Sequence, residues 1–150
     1  MYFTALLYAY ETTRFYTYIY CLAYLMHECA ARHKTVIILD RPDPIGGVTF
    51  EGAMLDEEKY SSFVGRYSMP ARYAMTCEEF ARWLNATHGV GCDLRVVRCD
   101  GWERTMYADE TDLAWINPSP NLPSVTASLI YIGTCLVEAT NVSEGRGTTR

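Results

Sequence analysis

Val36-Ile-Ile-Leu39, running straight into Asp40-Arg-Pro-Asp-Pro44 and Ile45-Gly-Gly47, is the stretch that decides the fold. A continuous run of β-branched and aliphatic residues is typical of a strand covered on both faces. Pro42 and Pro44 exclude helix and stiffen the loop that follows. Upstream, Ile19, Leu22, Ala23, Met26, Cys29 and Ala30 recur at three- and four-residue intervals. That spacing predicts one apolar helix face, with Tyr20, Tyr24, Glu28 and Arg32 elsewhere around the helix. Ala5-Leu-Leu-Tyr-Ala-Tyr10 reads as a buried strand closed by the polar break Glu11-Thr-Thr13. Strand, helix and strand in succession form the βαβ unit of a parallel sheet, which makes the fold class α/β. Ligands of such sheets bind beyond the carboxyl ends of the strands, so Asp40 and Arg41 are site candidates by position. The competing reading is an Asp–Arg ion pair that fixes the loop.

Composition limits the choice of function. A chain of 150 residues suits one domain with a sizeable core. A net charge of -5, with Arg and Lys scattered, gives no basic surface for nucleic acid or anionic lipid. No apolar run approaches the roughly 18 residues needed for a membrane span. Tyr2–Tyr10 lacks the basic start and small-residue cleavage site of a signal peptide. The six cysteines include no Cys-x-x-Cys pair, which excludes the usual zinc-ribbon spacing. Cys92 and Cys99 flank an extended stretch spanning about 23 Å, too long for a disulfide. The set reads as buried thiols of a reducing compartment, or as bridges that sequence alone does not pair. His27-Glu28-Cys29 near His33 invites a metal, but helical His-Glu-x-x-His would need His where Ala31 stands, so no metal site is assigned.

Further along, Thr76 and Glu79 form a capping box, with Met75 and Phe80 at hydrophobic-staple spacing. The helix they open is predicted to stop at His88-Gly89. Leu94-Arg-Val-Val97 is another strand candidate, whereas Phe50–Arg72 is irregular. Asn117-Pro-Ser-Pro-Asn-Leu-Pro123 holds three prolines in seven residues and would present Ser119 and Asn121 rigidly. Ser124 is predicted to cap a short helix to Tyr131, with Gly133 as its stop and Cys135-Leu-Val137 resuming a strand or core segment. Tyr16 and Tyr18, beside Arg14 at the strand-to-helix junction, suit stacking on a ligand.

The final segment, Leu136-Val-Glu-Ala-Thr-Asn-Val-Ser-Glu-Gly-Arg-Gly-Thr-Thr-Arg150, gathers the most varied chemistry. Glu138, Asn141, Ser143, Glu144 and Arg146 offer carboxylate, amide, hydroxyl and guanidinium groups beside two glycines that permit a sharp turn. If the reaction is glycoside hydrolysis, two carboxyl groups must lie about 5 Å apart for retention or about 6.5–9.5 Å for inversion. Glu138 and Glu144 are separated by about 20 Å of extended chain and meet only if the chain folds back. Glu144 facing Asp40 across neighbouring strand ends is geometrically easier.

Arg14-Phe-Tyr-Thr-Tyr18, Leu39-Asp-Arg-Pro-Asp-Pro-Ile-Gly-Gly47, Ser62-Phe-Val-Gly65, Asn117-Pro-Ser-Pro-Asn121 and Thr140-Asn-Val-Ser-Glu-Gly-Arg-Gly-Thr-Thr149 occur in one order. Together they resemble the exo-β-N-acetylmuramidases of bacterial peptidoglycan recycling, long catalogued as a domain of unknown function. The resemblance implies a Rossmann-like, three-layer α/β domain with a mostly parallel sheet, of which residues 1–150 would be an incomplete part. It implies hydrolytic removal of terminal N-acetylmuramic acid from peptidoglycan glycan ends or muropeptides, no cofactor, and a periplasmic or secreted setting. Family members are more than twice as long and carry an upstream Pro-Glu-His-Gly, whose Glu would face Glu144. This sequence has no such motif, so impaired or absent turnover is expected. Asp43 stands where the family has Asn, Tyr73-Ala74 where it has His-Gly, and Glu78 where it has Gly. In this setting Glu144 and Asp40 are the catalytic candidates. Arg14, Arg41 and Arg146 suit the lactyl carboxylate, and Arg146 is favoured; Tyr16 or Tyr18 suits a sugar face. Asn121 and Asn141 suit hydroxyl or acetamido groups. Ser119, Ser143 and Glu138 are further substrate-binding candidates, with Glu138 equally suited to anchoring the core edge. Two alternatives stay open: a non-catalytic cell-wall sugar binder, and a nucleotide- or phosphate-binding protein, which lacks both Gly-x-Gly-x-x-Gly and Walker A.

Overall fold

A computed structural model describes the backbone of residues 3–5 and all of residues 13–143. Three strands, β1 (Phe3–Ala5), β2 (Thr35–Leu39) and β3 (Asp93–Val97), form a parallel sheet in the order β1-β2-β3. Val36 is in register with Phe3 on one side and with Leu94 on the other. The strand expected over Ala5–Tyr10 is seen only up to Ala5; the rest of it lies outside the described residues. The crossovers contain helices α1 (Tyr18–Ala31) and, after the single turn α2 (Glu57–Tyr60), α3 (Cys77–His88). α1 and α3 touch each other and both pack on β2, so they share one face of the sheet. Strand order that follows chain order, with a constant crossover hand, requires that arrangement.

Among the described residues, β2 is buried most deeply on that face, with Thr35 and Ile37 half-buried on the other. Val36 and Ile38 point under the helices at 0% and 1% exposure, whereas Leu39 and Val97 reach 37% and 56%. Among the described residues β2 is therefore fully buried on the helix side and partly buried on the other. They supply the sheet and one helical layer of a Rossmann-like α/β domain. An apolar run records which strand is suited to the middle of a sheet; it does not record whether the second layer is present.

The main core gathers Leu22 and Met26 of α1, Phe80 and Leu84 of α3, and Tyr67, Met69 and Tyr73 of the segment between. Tyr20, expected off the apolar face, is fully buried instead. Its ring stacks with Tyr67 at 6.4 Å and its hydroxyl donates to the Arg14 carbonyl at 2.7 Å. The segment Tyr67–Tyr73 covers the flank of α1, widening its buried stripe beyond what helical periodicity marks.

α3 begins as its sequence requires. The Thr76 hydroxyl accepts the Glu79 amide at 3.3 Å, and the Glu79 carboxylate accepts the Thr76 amide at 3.0 Å. It ends at Gly89, whose φ of 61° is the left-handed turn of a helix stop. α4 (Val125–Thr134) is capped by the Ser124 hydroxyl, but it runs through Gly133 rather than stopping there. Gly133 has no positive φ, so nothing reverses the chain at that point. Cys135–Ala139 continues as a 3-10 turn rather than the strand that was one expectation for Cys135-Leu-Val137, and of these residues Cys135 is buried, in line with the other, a core segment. A small second cluster of Ile45, Ala108 and Val125, with Tyr107, Trp115 and Ile132, ties α4 to the loop after β2.

Between β2 and α3 the chain is held by side-chain-to-backbone bonds more than by ladders. Glu51 and Arg72 form an isolated antiparallel bridge. Gly52 beside it has φ 92°, and a Cβ there would stand 2.7 Å from that of Ala71, so the close approach demands glycine.

Candidate functional site

The carboxyl ends of β2 and β3 place Asp40 and Arg41 beside Arg98, Cys99 and the start of α3. The Asp40 amide donates to the Val97 carbonyl at 2.8 Å, prolonging the ladder by one bond. Its carboxylate accepts the Glu78 amide at 3.0 Å and bonds to the Thr76 side chain. An acidic group at a helix N-terminus satisfies an otherwise orphan amide. Burial raises the Asp40 carboxyl above its ordinary value, and the nearby Glu78 charge acts in the same direction, against the lowering effect of those bonds. Cys99 faces Asp40 and Arg41, and its thiol is pushed up first by burial and then by the Asp40 charge.

Glu78 is the residue of this neighbourhood that pattern reading did not put in the site. Its side chain is buried, ion-paired with Arg82 one turn along α3 and with Arg98 at 3.3 Å beyond β3. The Glu-x-x-x-Arg spacing of 78 and 82 was the available signal; the Arg98 contact was not legible, because it depends on strand pairing.

Arg14 has a structural job. One guanidinium nitrogen donates to the carbonyls of Ala53 at 2.8 Å and Met69 at 2.5 Å, and its own amide donates to Ala71 at 2.9 Å. Tyr16 and Tyr18 lie together at the start of α1 with rings 6.0 Å apart, and Tyr16 meets Tyr131 of α4 edge-on at 5.8 Å. Tyr18 is 43% exposed. Ser119 and Asn121 serve their own turn: the Ser119 hydroxyl accepts the Asn121 amide at 3.3 Å, and its carbonyl accepts the Leu122 amide. Asn121 remains exposed. Glu138 sits exposed on the 3-10 turn after α4, with Asn141 and Ser143 exposed beyond it. Glu144 and Arg146 lie outside the described residues, so their facing partners are not defined.

All six cysteines are free thiols. Among the described residues no three His, Cys, Asp or Glu side chains converge as a metal site, and no helix is long and apolar enough to cross a membrane. His27 instead faces the Tyr67 hydroxyl at 3.4 Å.

A parallel βαβ frame with acidic and basic groups at the strand ends defines a Rossmann-like α/β domain with its polar groups gathered where such folds hold ligands. The chain belongs to the exo-β-N-acetylmuramidase NamZ family: residues 12–126 match its N-terminal domain and residues 129–150 its C-terminal domain. The junction of the two matches falls inside α4. The chain is 46% identical over 138 residues to the peptidoglycan β-N-acetylmuramidase NamZ of Bacillus subtilis (strain 168), covering 92% of this chain and 33% of that protein. It thus spans about a third of that relative's length. Crystal structures of two DUF1343 family proteins from Bacteroides fragilis NCTC 9343 superpose with TM-scores of 0.85 and 0.81, at 37% and 39% identity. They cover 93% and 92% of this chain and 37% and 38% of theirs.

Proposed function

We propose that the chain forms one wall of the sugar site of a glycoside hydrolase that removes terminal N-acetylmuramic acid from peptidoglycan-derived glycans. The observation that carries this reading is the family match over residues 12–126, which contains the strand-end site. In this reading Tyr16 or Tyr18 lies against a sugar face and Arg146 pairs with the lactyl carboxylate. Arg41 adds positive charge beside it, while Ser119, Asn121, Glu138, Asn141 and Ser143 bond hydroxyl or acetamido groups. Glu144 acts as partner carboxylate or substrate ligand. Asp40 is the weaker second carboxylate, because the Glu78 amide and Thr76 already engage it. The setting would be periplasmic or secreted.

That engagement of Asp40 favours a second reading, a sugar-binding domain without turnover. Nitrophenyl glycosides of N-acetylmuramic acid and N-acetylglucosamine, offered to this chain with both release and binding measured, separate the two. Release from the muramic glycoside supports the hydrolase; selective binding without release supports the binder; neither binding nor release overturns both. Arg146→Ala is expected to lower binding of the muramic compound at least tenfold and to spare the glucosamine one. An equal loss on both sinks the carboxylate role.

A further inference from the structure

Asp43 lies between Pro42 and Pro44, both buried, and is itself 2% exposed. One carboxyl oxygen accepts the Ile45 amide at 3.0 Å, and the Asp43 carbonyl accepts the Gly46 amide at 3.1 Å. The other carboxyl oxygen is buried with no hydrogen-bond partner.

Among the described residues, the charged side chains of Arg72, Glu79 and Arg104 act on the group. Neither arginine donates to it among the described residues. Arg72 donates to Glu51 at 2.8 Å and to the Ile45 carbonyl at 2.5 Å. Arg104 donates to the Gly47 carbonyl at 2.9 and 2.6 Å, to the Ala74 carbonyl at 2.9 Å, and to Glu79. Both cations therefore hold the same loop from outside, and the third charge has the sign that repels a carboxylate. A sealed carboxylate with a single amide donor and no ion-pair bond costs more than the neutral acid, whose one unpaired O–H is the smaller penalty.

We propose that Asp43 is a positioning residue that keeps the loop Asp43–Gly47 closed as an uncharged acid, and that losing its proton loosens this loop. Burial raises its carboxyl from 3.8 to about 8, with the Ile45 amide and the two arginines offsetting only part of the effect. Between those values the folded chain holds a proton that the unfolded chain has released. Stability therefore falls as pH rises through that window, and the folding equilibrium shifts by about tenfold per pH unit. Above about 8 both states are ionised and the dependence on this group ends.

The test compares the 150-residue chain with Asp43→Asn and Asp43→Ala. Thermal unfolding is followed from pH 5 to 8.5, together with the Asp43 Cγ resonance and the exchange of the Ile45 and Gly46 amides relative to their intrinsic rates. The Asn variant keeps both amide contacts without a charge. It is expected to match the parent near pH 5, to gain Tm over it steadily towards pH 8, and to keep the Ile45 amide protected throughout. The Ala variant is expected to lose Ile45 protection at every pH. Parallel Tm curves for parent and Asn variant, a Cγ titration near 4, or an Asn variant unfolded at every pH would each overturn the uncharged state. Equal Ile45 protection in the Asn and Ala variants would overturn the positioning role.

Discussion

Individual arginines hold the irregular part of this domain together, and they do so through carbonyl oxygens as much as through carboxylates. Arg72 is the clearest case, with a side chain 5% exposed that bridges Glu51 and the Ile45 carbonyl. Removing it as Arg72→Met is expected to cost about 3 kcal/mol in urea unfolding, since the buried Ile45 carbonyl loses its donor. Arg72→Lys should recover little, because one ammonium does not reproduce a planar fork. Glu51 is half exposed, so Glu51→Gln should cost under about 1 kcal/mol. Equal losses for Arg72→Met and Glu51→Gln would show that the ion pair, not the carbonyl bond, carries the stability. Little of this was legible in the sequence. Asp40 and Arg41 could be placed at a strand end, because a strand followed by prolines announces its own end. The burial of Asp43 and Tyr20, by contrast, depends on partners far along the chain.

Elements whose signals are local were read well. The capping box of α3 links residues three apart, and the left-handed Gly89 follows directly on the last turn; both appear as expected. Gly133 misled because glycine marks a helix end only where the chain must reverse, and here α4 continues through it. A Cβ at that position meets nothing within 4 Å. Gly133→Ala should therefore stabilise the chain by up to about 1 kcal/mol in thermal or denaturant unfolding, through helix propensity alone. A loss of stability would mean that α4 does not persist through this residue in solution. Cys135-Leu-Val137 lies in a 3-10 turn rather than a strand, although Cys135 is buried, because an apolar run this short does not separate strand from helical turn.

At the scale of the molecule, β2 is paired on both sides and lies under both long helices, whereas β1 and β3 are each paired on one side among the described strands. The amides of Val36–Ile38 are expected to exchange slowest in native-state hydrogen exchange, near the rate set by global unfolding. Faster exchange there than in α3 would mean that the helix, not the sheet, is the last structure to open. The parallel βαβ frame was legible because hydrophobic period and strand length are properties of single segments. How deeply each face of the sheet is buried was not, because it depends on what packs there. Strand order that follows chain order also bears on synthesis. β2 has its partner β1 already made when it leaves the ribosome, and β3 later meets a finished β2 edge. This sheet therefore grows in the direction of translation, one crossover at a time, and no described strand has to wait for a later neighbour to be inserted between it and its pair.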